Sequence, residues 1–197
     1  MSKNGKLNTT YLVELAVLTA IIIIMAFTPI GYIRTGGLSI TLLVIPVAVG
    51  AVVLGPKAGA ILGAVFGLTS FIQCFGLEPF GTALFGVKPF GTFIVCLVPR
   101  ILMGWLSGLI YRALMKGNAT KKIAVFVGCL AAPLLNTIFF MTALTTIFYS
   151  YMTTEYGMTN IFTFIIAFVG INGLIEAIVC FILGTAIAAA LKKAMKH

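Results

Sequence analysis

Apolar runs of helical length follow one another along the whole chain, and the stretches between them hold nearly all of its charge. Helices rise about 1.5 Å per residue, so runs of about 20 residues match a hydrocarbon core of about 30 Å. Hydrophobic residues make up 61% of the 197 positions and charged residues only 9%, too few to cover a water-exposed surface. Few of the runs alternate strictly in polarity, which favours helices over the lipid-facing strands of a barrel. The chain therefore reads as an all-α integral membrane protein, a bundle of six transmembrane helices forming one domain over residues 1–197.

The six helices are expected at residues 10–27, 40–54, 58–73, 90–114, 123–149 and 161–191. Between them, Thr28 to Ser39 holds Pro29, Gly31, Gly36 and Gly37 and reads as a loop able to fold back into the bundle. Cys74 to Pro89, rich in Phe and Gly, reads as a structured loop or lid; Phe71, Phe75, Phe80, Phe85 and Phe90, in and beside it, either close an apolar lid over a site or form an aromatic belt at the membrane interface, and Ser150 to Asn160 reads as a polar loop. In the third helix Gly59, Gly63 and Gly67 recur every four residues and clear one face for the backbone of a neighbour. The first helix is too long for a removable signal peptide and lacks a small-residue cleavage site.

The formal net charge of +9 lies at segment ends rather than along one face, so it marks topology and not a nucleic-acid surface. With six spans, Lys3, Lys6, Lys57, Arg112, Lys116, Lys121, Lys122, Lys192, Lys193 and Lys196 share one side, against Arg34 and Lys88 on the other. Cytoplasmic loops carry the excess of Lys and Arg, which makes both termini cytoplasmic.

Several kinds of chemistry lack their parts. Cys74, Cys96, Cys129 and Cys180 are dispersed through apolar segments, form no CxxC or Cys/His cluster, and read as packing residues rather than metal ligands. The one histidine is His197, and four acids are too few for most hydrolytic or metal sites. No glycine-rich stretch ends in GK[ST], so the chain carries no P-loop for ATP. A lipid-active enzyme is disfavoured for the same reason: no nucleophile and base are visible together.

The exception to apolar character at depth is Arg100, in the run from Phe90 to Leu114. It lies roughly 15 Å along that helix, near the bilayer midplane, where a permanent cation costs on the order of 3 kcal/mol and calls for a partner or a ligand. Other polar residues at membrane depth are Asn136, Asn172 and Glu176, with Gln73 near the outer end of the third helix. Asn172 and Glu176 are four apart and share a helical face, which can meet Arg100 and Asn136 in one pocket. Two readings stay open on these residues: an internal Arg100–Glu176 ion pair, and a site in which the guanidinium takes a carboxylate while the amides take hydroxyl or amide groups. A proton-coupled secondary carrier using Glu176 is a further possibility.

Taken with the motifs around them, these residues resemble the substrate-binding S component of energy-coupling factor (ECF) transporters, the vitamin importers of bacteria. The resemblance covers nearly the whole chain. It rests on IPVAVGAVVLGPKAGAILGAVFG from Ile45 to Gly67, with its LGPxxGAxxG pattern, on PRILMGWLSGLIYRAL from Pro99 to Leu114, and on Ala16 and Ala20, an AxxxA pair in the first helix. It implies no enzymatic activity and no cofactor in this chain, with a transmembrane coupling protein and two ATPase subunits as partners. It further implies that the Ala16/Ala20 face docks on the coupling protein. Within the family the chain looks most like the pantothenate S components, in SFIQCFG from Ser70 to Gly76, PLLNTIFFM from Pro133 to Met141 and AFVGINGLIEAIVC from Ala167 to Cys180. Pyridoxine and a hydroxymethylpyrimidine precursor are the alternative substrates. The expected site is Arg100, Asn136, Asn172, Glu176 and Gln73, in a multi-pass protein of the bacterial cell membrane.

Overall fold

A computed structural model describes the backbone of residues 9–35, 38–117, 120–157 and 160–194, with side chains described there except at 33–35, 38–40, 121, 156, 161–172, 174 and 192–194. In chain order the elements are α1 (Thr9–Ala26), β1 (Tyr32–Thr35), β2 (Leu38–Thr41), α2 (Val44–Val53), α3 (Pro56–Gln73), α4 (Pro79–Val87), α5 (Pro89–Lys116), α6 (Lys121–Ile147), α7 (Tyr149–Tyr156) and α8 (Ile161–Ala194). Among the described residues three helices are long and apolar enough to cross a membrane: α1, α5 and residues Lys122–Ile147 of α6. Helix α3 has the length but carries glycines and polar groups that lower its hydropathy, and α2 is a shorter apolar helix.

Helix α2 lies at the centre. Its residues Val44 to Val52 are all buried, because α1, α3, α5, α6 and α8 pack around it. Such a helix is hydrophobic on every side, as the run VIPVAVGAVV is. Pro46 falls in its first turn, where a missing N–H costs no helical bond.

Three expectations need correction. The second helix does not begin at Ile40, because residues 38–41 form the second strand of an antiparallel hairpin with Tyr32–Thr35. The β-branched and aromatic residues of YIRT and LSIT prefer a pleated backbone, and the two strands pair in register from Tyr32 with Thr41 to Thr35 with Leu38. The stretch expected as a lid loop contains α4, started by Glu78, whose carboxylate accepts from the backbone N–H of Phe80 at 3.2 Å and of Gly81, with Pro79 at the first helical position. The polar stretch from Ser150 contains most of α7, which ends at Gly157 in the left-handed conformation (φ 60°) that caps a helix C-terminus. The other helix ends lie within three residues of the expected ones; α3 and α5 start on the prolines Pro56 and Pro89.

The glycine face of α3 sets the geometry of everything near Arg100. A Cβ on Gly59 would strike the carbonyl oxygen of Gly104, one on Gly63 that of Arg100, and one on Gly67 would come within 2.8 Å of that of Cys96. Partners step forward by four on α3 and back by four on α5, so the two helices run antiparallel with their backbones in direct contact. At one end of this pair the Arg112 guanidinium lies over the Gly55 turn beside Lys57; at the other, Lys88 Nζ donates to the Ile147 carbonyl at 3.2 Å. The side chains of Arg34, Lys121, Lys192 and Lys193, and all of Lys3, Lys6 and Lys196, lie outside the described residues.

Candidate functional site

Residue Arg100 sits one position after Pro99 within α5. In a helix the N–H of residue 99 would bond the carbonyl of Val95, but proline has no N–H to give. The Arg100 side chain turns back toward the helix N-terminus, as helical side chains do, and its Nη1 donates to that Val95 oxygen at 2.6 Å. The guanidinium carbon lies 5.4 Å from the ring centre of Phe66 on α3 and 4.8 Å from that of Phe140 on α6. Two aromatic faces thus offset part of the desolvation of a cation with no hydrogen-bonded acid among the described residues. Its Nε is buried and has no partner among them.

Asn136 lies one turn before Phe140 on α6, and its Oδ1 is likewise buried without a partner. On α8, Glu176 accepts from the backbone N–H of Thr41 in the hairpin at 3.4 Å through Oε2, while its Oε1 is buried and unpartnered. Asn136 and the Arg100 charge both act on the Glu176 carboxylate. Arg100, Asn136 and Glu176, from three different helices, therefore converge, and no Arg100–Glu176 hydrogen bond closes among the described residues. Buried polar atoms in folded proteins are nearly always paired. Three unpaired atoms lie on the converging residues, a donor on Arg100 and acceptors on Asn136 and Glu176, and a group that paired them would need an acceptor, preferably anionic, and two donors. The fourth such atom, Thr185 Oγ1, is nine residues further along α8, roughly 14 Å away at the helical rise, and belongs elsewhere.

The remaining expected residues divide. Gln73 Nε2 donates to the Ala26 carbonyl at 2.5 Å and so ties the end of α1 to the end of α3; its side chain also lies against the Tyr32 phenol. Asn172 is one turn before Glu176 on α8, but its side chain lies outside the described residues. Ala16 and Ala20 are exposed on α1, where only Ile22 and Ala26 are buried. Of the aromatic residues near the lid, Phe71, Phe75 and Phe85 pack edge to face or tilted with centroids 4.7–5.8 Å apart, and Phe93 joins them. Phe80 instead packs with Leu84 against Met141, Leu144, Phe148 and Met152, and Phe90 is 76% exposed and closes nothing.

Sequence reasoning missed the hairpin's contribution. Tyr32 on the hairpin brings its phenol oxygen within 3.4 Å of Ser70 Oγ on α3. Cys74 and Cys96, dispersed in sequence, meet at 3.8 Å between sulfurs, and all four cysteines are buried and free.

Residues 10–188 match the family model described as ECF transporter, substrate-specific component. The chain belongs to this family. The S component is 31% identical over 166 residues, 80% of each chain, to a protein of Lactococcus lactis subsp. cremoris named pantothenic acid transporter PanT. It is 32% identical over 199 aligned positions, 95% of this chain and 93% of the relative, to the pantothenate transporter PanT of Leuconostoc mesenteroides. The family and these relatives are transporters rather than enzymes. Membership and the apolar helices together make the S component a multi-pass bacterial membrane protein.

Proposed function

We propose that this S component captures pantothenate from outside the cell in the volume between Arg100, Asn136 and Glu176. The observation that carries the reading is the set of three unpartnered atoms, one donor and two acceptors. Pantothenate has a carboxylate for Arg100 Nε, and hydroxyl and amide N–H groups for Asn136 Oδ1 and Glu176 Oε1. Two relatives named for pantothenate support the same choice. Pyridoxine and hydroxymethylpyrimidine bring no carboxylate and would leave the Arg100 donor without an anion. Asn172, on the same face of α8 as Glu176, is an additional contact, and Gln73 acts at the margin by fixing Tyr32 and α1.

The chain crosses the membrane six times, with α2 and the hairpin together filling one crossing, and both termini are cytoplasmic. Lys57 and Arg112 beside the Gly55 turn and Lys88 at the far end of α5 support that orientation. Energy comes from two ATPase subunits, which bind ATP, acting through a transmembrane coupling protein. Exposure of Ala16 and Ala20 on an otherwise little-buried α1 supports docking of that protein on this helix.

Equilibrium binding of radiolabelled pantothenate to the purified chain tests the reading. Arg100→Ala is expected to weaken binding by roughly 2–5 kcal/mol, the cost of removing one partner from a buried charge pair, with the helical content unchanged. Normal binding by that variant would show that the carboxylate lies elsewhere.

A further inference from the structure

We propose that Pro99 is a positioning residue for substrate binding: by withholding an N–H it leaves the Val95 carbonyl open, and that carbonyl holds the Arg100 guanidinium with Nε turned to the ligand. The inference rests on reading Arg100 as the carboxylate anchor.

A proline inside a membrane helix releases the carbonyl one turn earlier, and in hydrocarbon that oxygen has to find another donor. Within α5 the oxygen is that of Val95, and the donor is Arg100 Nη1 at 2.6 Å. The tether acts on one end of the guanidinium only. Phe66 and Phe140, at 5.4 and 4.8 Å, restrain it further, and Nε remains buried without a partner. An arginine otherwise carries about 2 kcal/mol of rotamer freedom that a ligand must remove; here the helix has removed part of it before the ligand arrives. The approach of Gly63 to the Arg100 carbonyl fixes the helix beneath it, so the tether starts from a rigid base.

The variant Pro99→Ala returns the missing N–H to Val95 and releases the guanidinium. Binding of pantothenate is compared with that of panthenol, its neutral alcohol analogue, in the purified wild-type chain, in Pro99→Ala and in Arg100→Ala. Loss of a hydrogen bond to a charged group is read as an affinity for pantothenate lowered about tenfold in Pro99→Ala. Panthenol binding stays unchanged, and thermal stability without ligand is equal or higher. Equal weakening for both ligands, or none, overturns the role of Pro99. If Arg100→Ala keeps the wild-type preference for the acid, the anchor reading fails instead. A ligand-free measurement decides the tether in that case: phenylglyoxal, located by peptide mass spectrometry, is expected to modify Arg100 several-fold faster in Pro99→Ala, and an unchanged rate refutes the tether. Should Pro99→Ala not fold, Pro99→Gly returns the same N–H.

Discussion

Replacing the glycines of α3 one at a time by alanine tests how closely the backbones of α3 and α5 need to approach. An alanine is the better helix former by roughly 1 kcal/mol, so each change begins with a gain. Against this stands the new methyl group. At Gly67 it would meet the Cys96 oxygen at 2.8 Å and the Leu97 Cα at 2.9 Å, a shallower overlap but one with backbone atoms that cannot swing aside. At Gly63 it would run into the Arg100 carbonyl far more deeply, with the carbonyl carbon also at 2.8 Å and the Ile101 Cα at 3.2 Å, and only backbone is there to move. Overpacking typically costs about 1–3 kcal/mol, and a backbone collision belongs at the upper end. Gly67→Ala should therefore cost up to about 1 kcal/mol and Gly63→Ala about 1–2 kcal/mol. Because Arg100 rides on the displaced segment of α5, Gly63→Ala should also weaken pantothenate binding, and more than Gly67→Ala does. Thermal unfolding in detergent and equilibrium binding on the same preparations measure both quantities. A Gly63→Ala protein more stable than wild type and binding normally would refute the argument that this contact sets the site.

Two further outcomes are expected. Asn136→Ala removes an acceptor that lacks a partner among the described residues, together with an amide that acts on the Glu176 carboxylate, so equilibrium binding of pantothenate should weaken about tenfold. Ala20→Leu places bulk on an exposed face of α1; binding by the isolated chain should be unaffected and uptake in cells with the ATPase and coupling subunits should fall sharply.

Long elements were legible because their signal is composition over a bilayer's length, which tertiary context does not override. Shorter ones were written in local chemistry that the loop composition around them obscured. Tyr-Ile-Arg-Thr and Leu-Ser-Ile-Thr flanking Gly36-Gly37 carry a hairpin signal, and Glu78-Pro79 carries a helix start. At the site, Arg100, Asn136 and Glu176 stood out as polar residues at apolar depth. Their companions did not: Phe66, Phe140 and Thr41 look like ordinary packing or strand residues until the fold brings them together. The Val95 tether lies between these cases. The one-turn rule for a proline identifies the open carbonyl from sequence, but only the direction of the Arg100 side chain identifies what fills it.

A crystal structure of the chain with pantothenate bound tests the central claim most directly. The account predicts the carboxylate within hydrogen-bond distance of Arg100 Nε, hydroxyl or amide groups on Asn136 and Glu176, and Nη1 still on the Val95 carbonyl. A vitamin found away from α5, with Arg100 Nε still unpartnered, would contradict it.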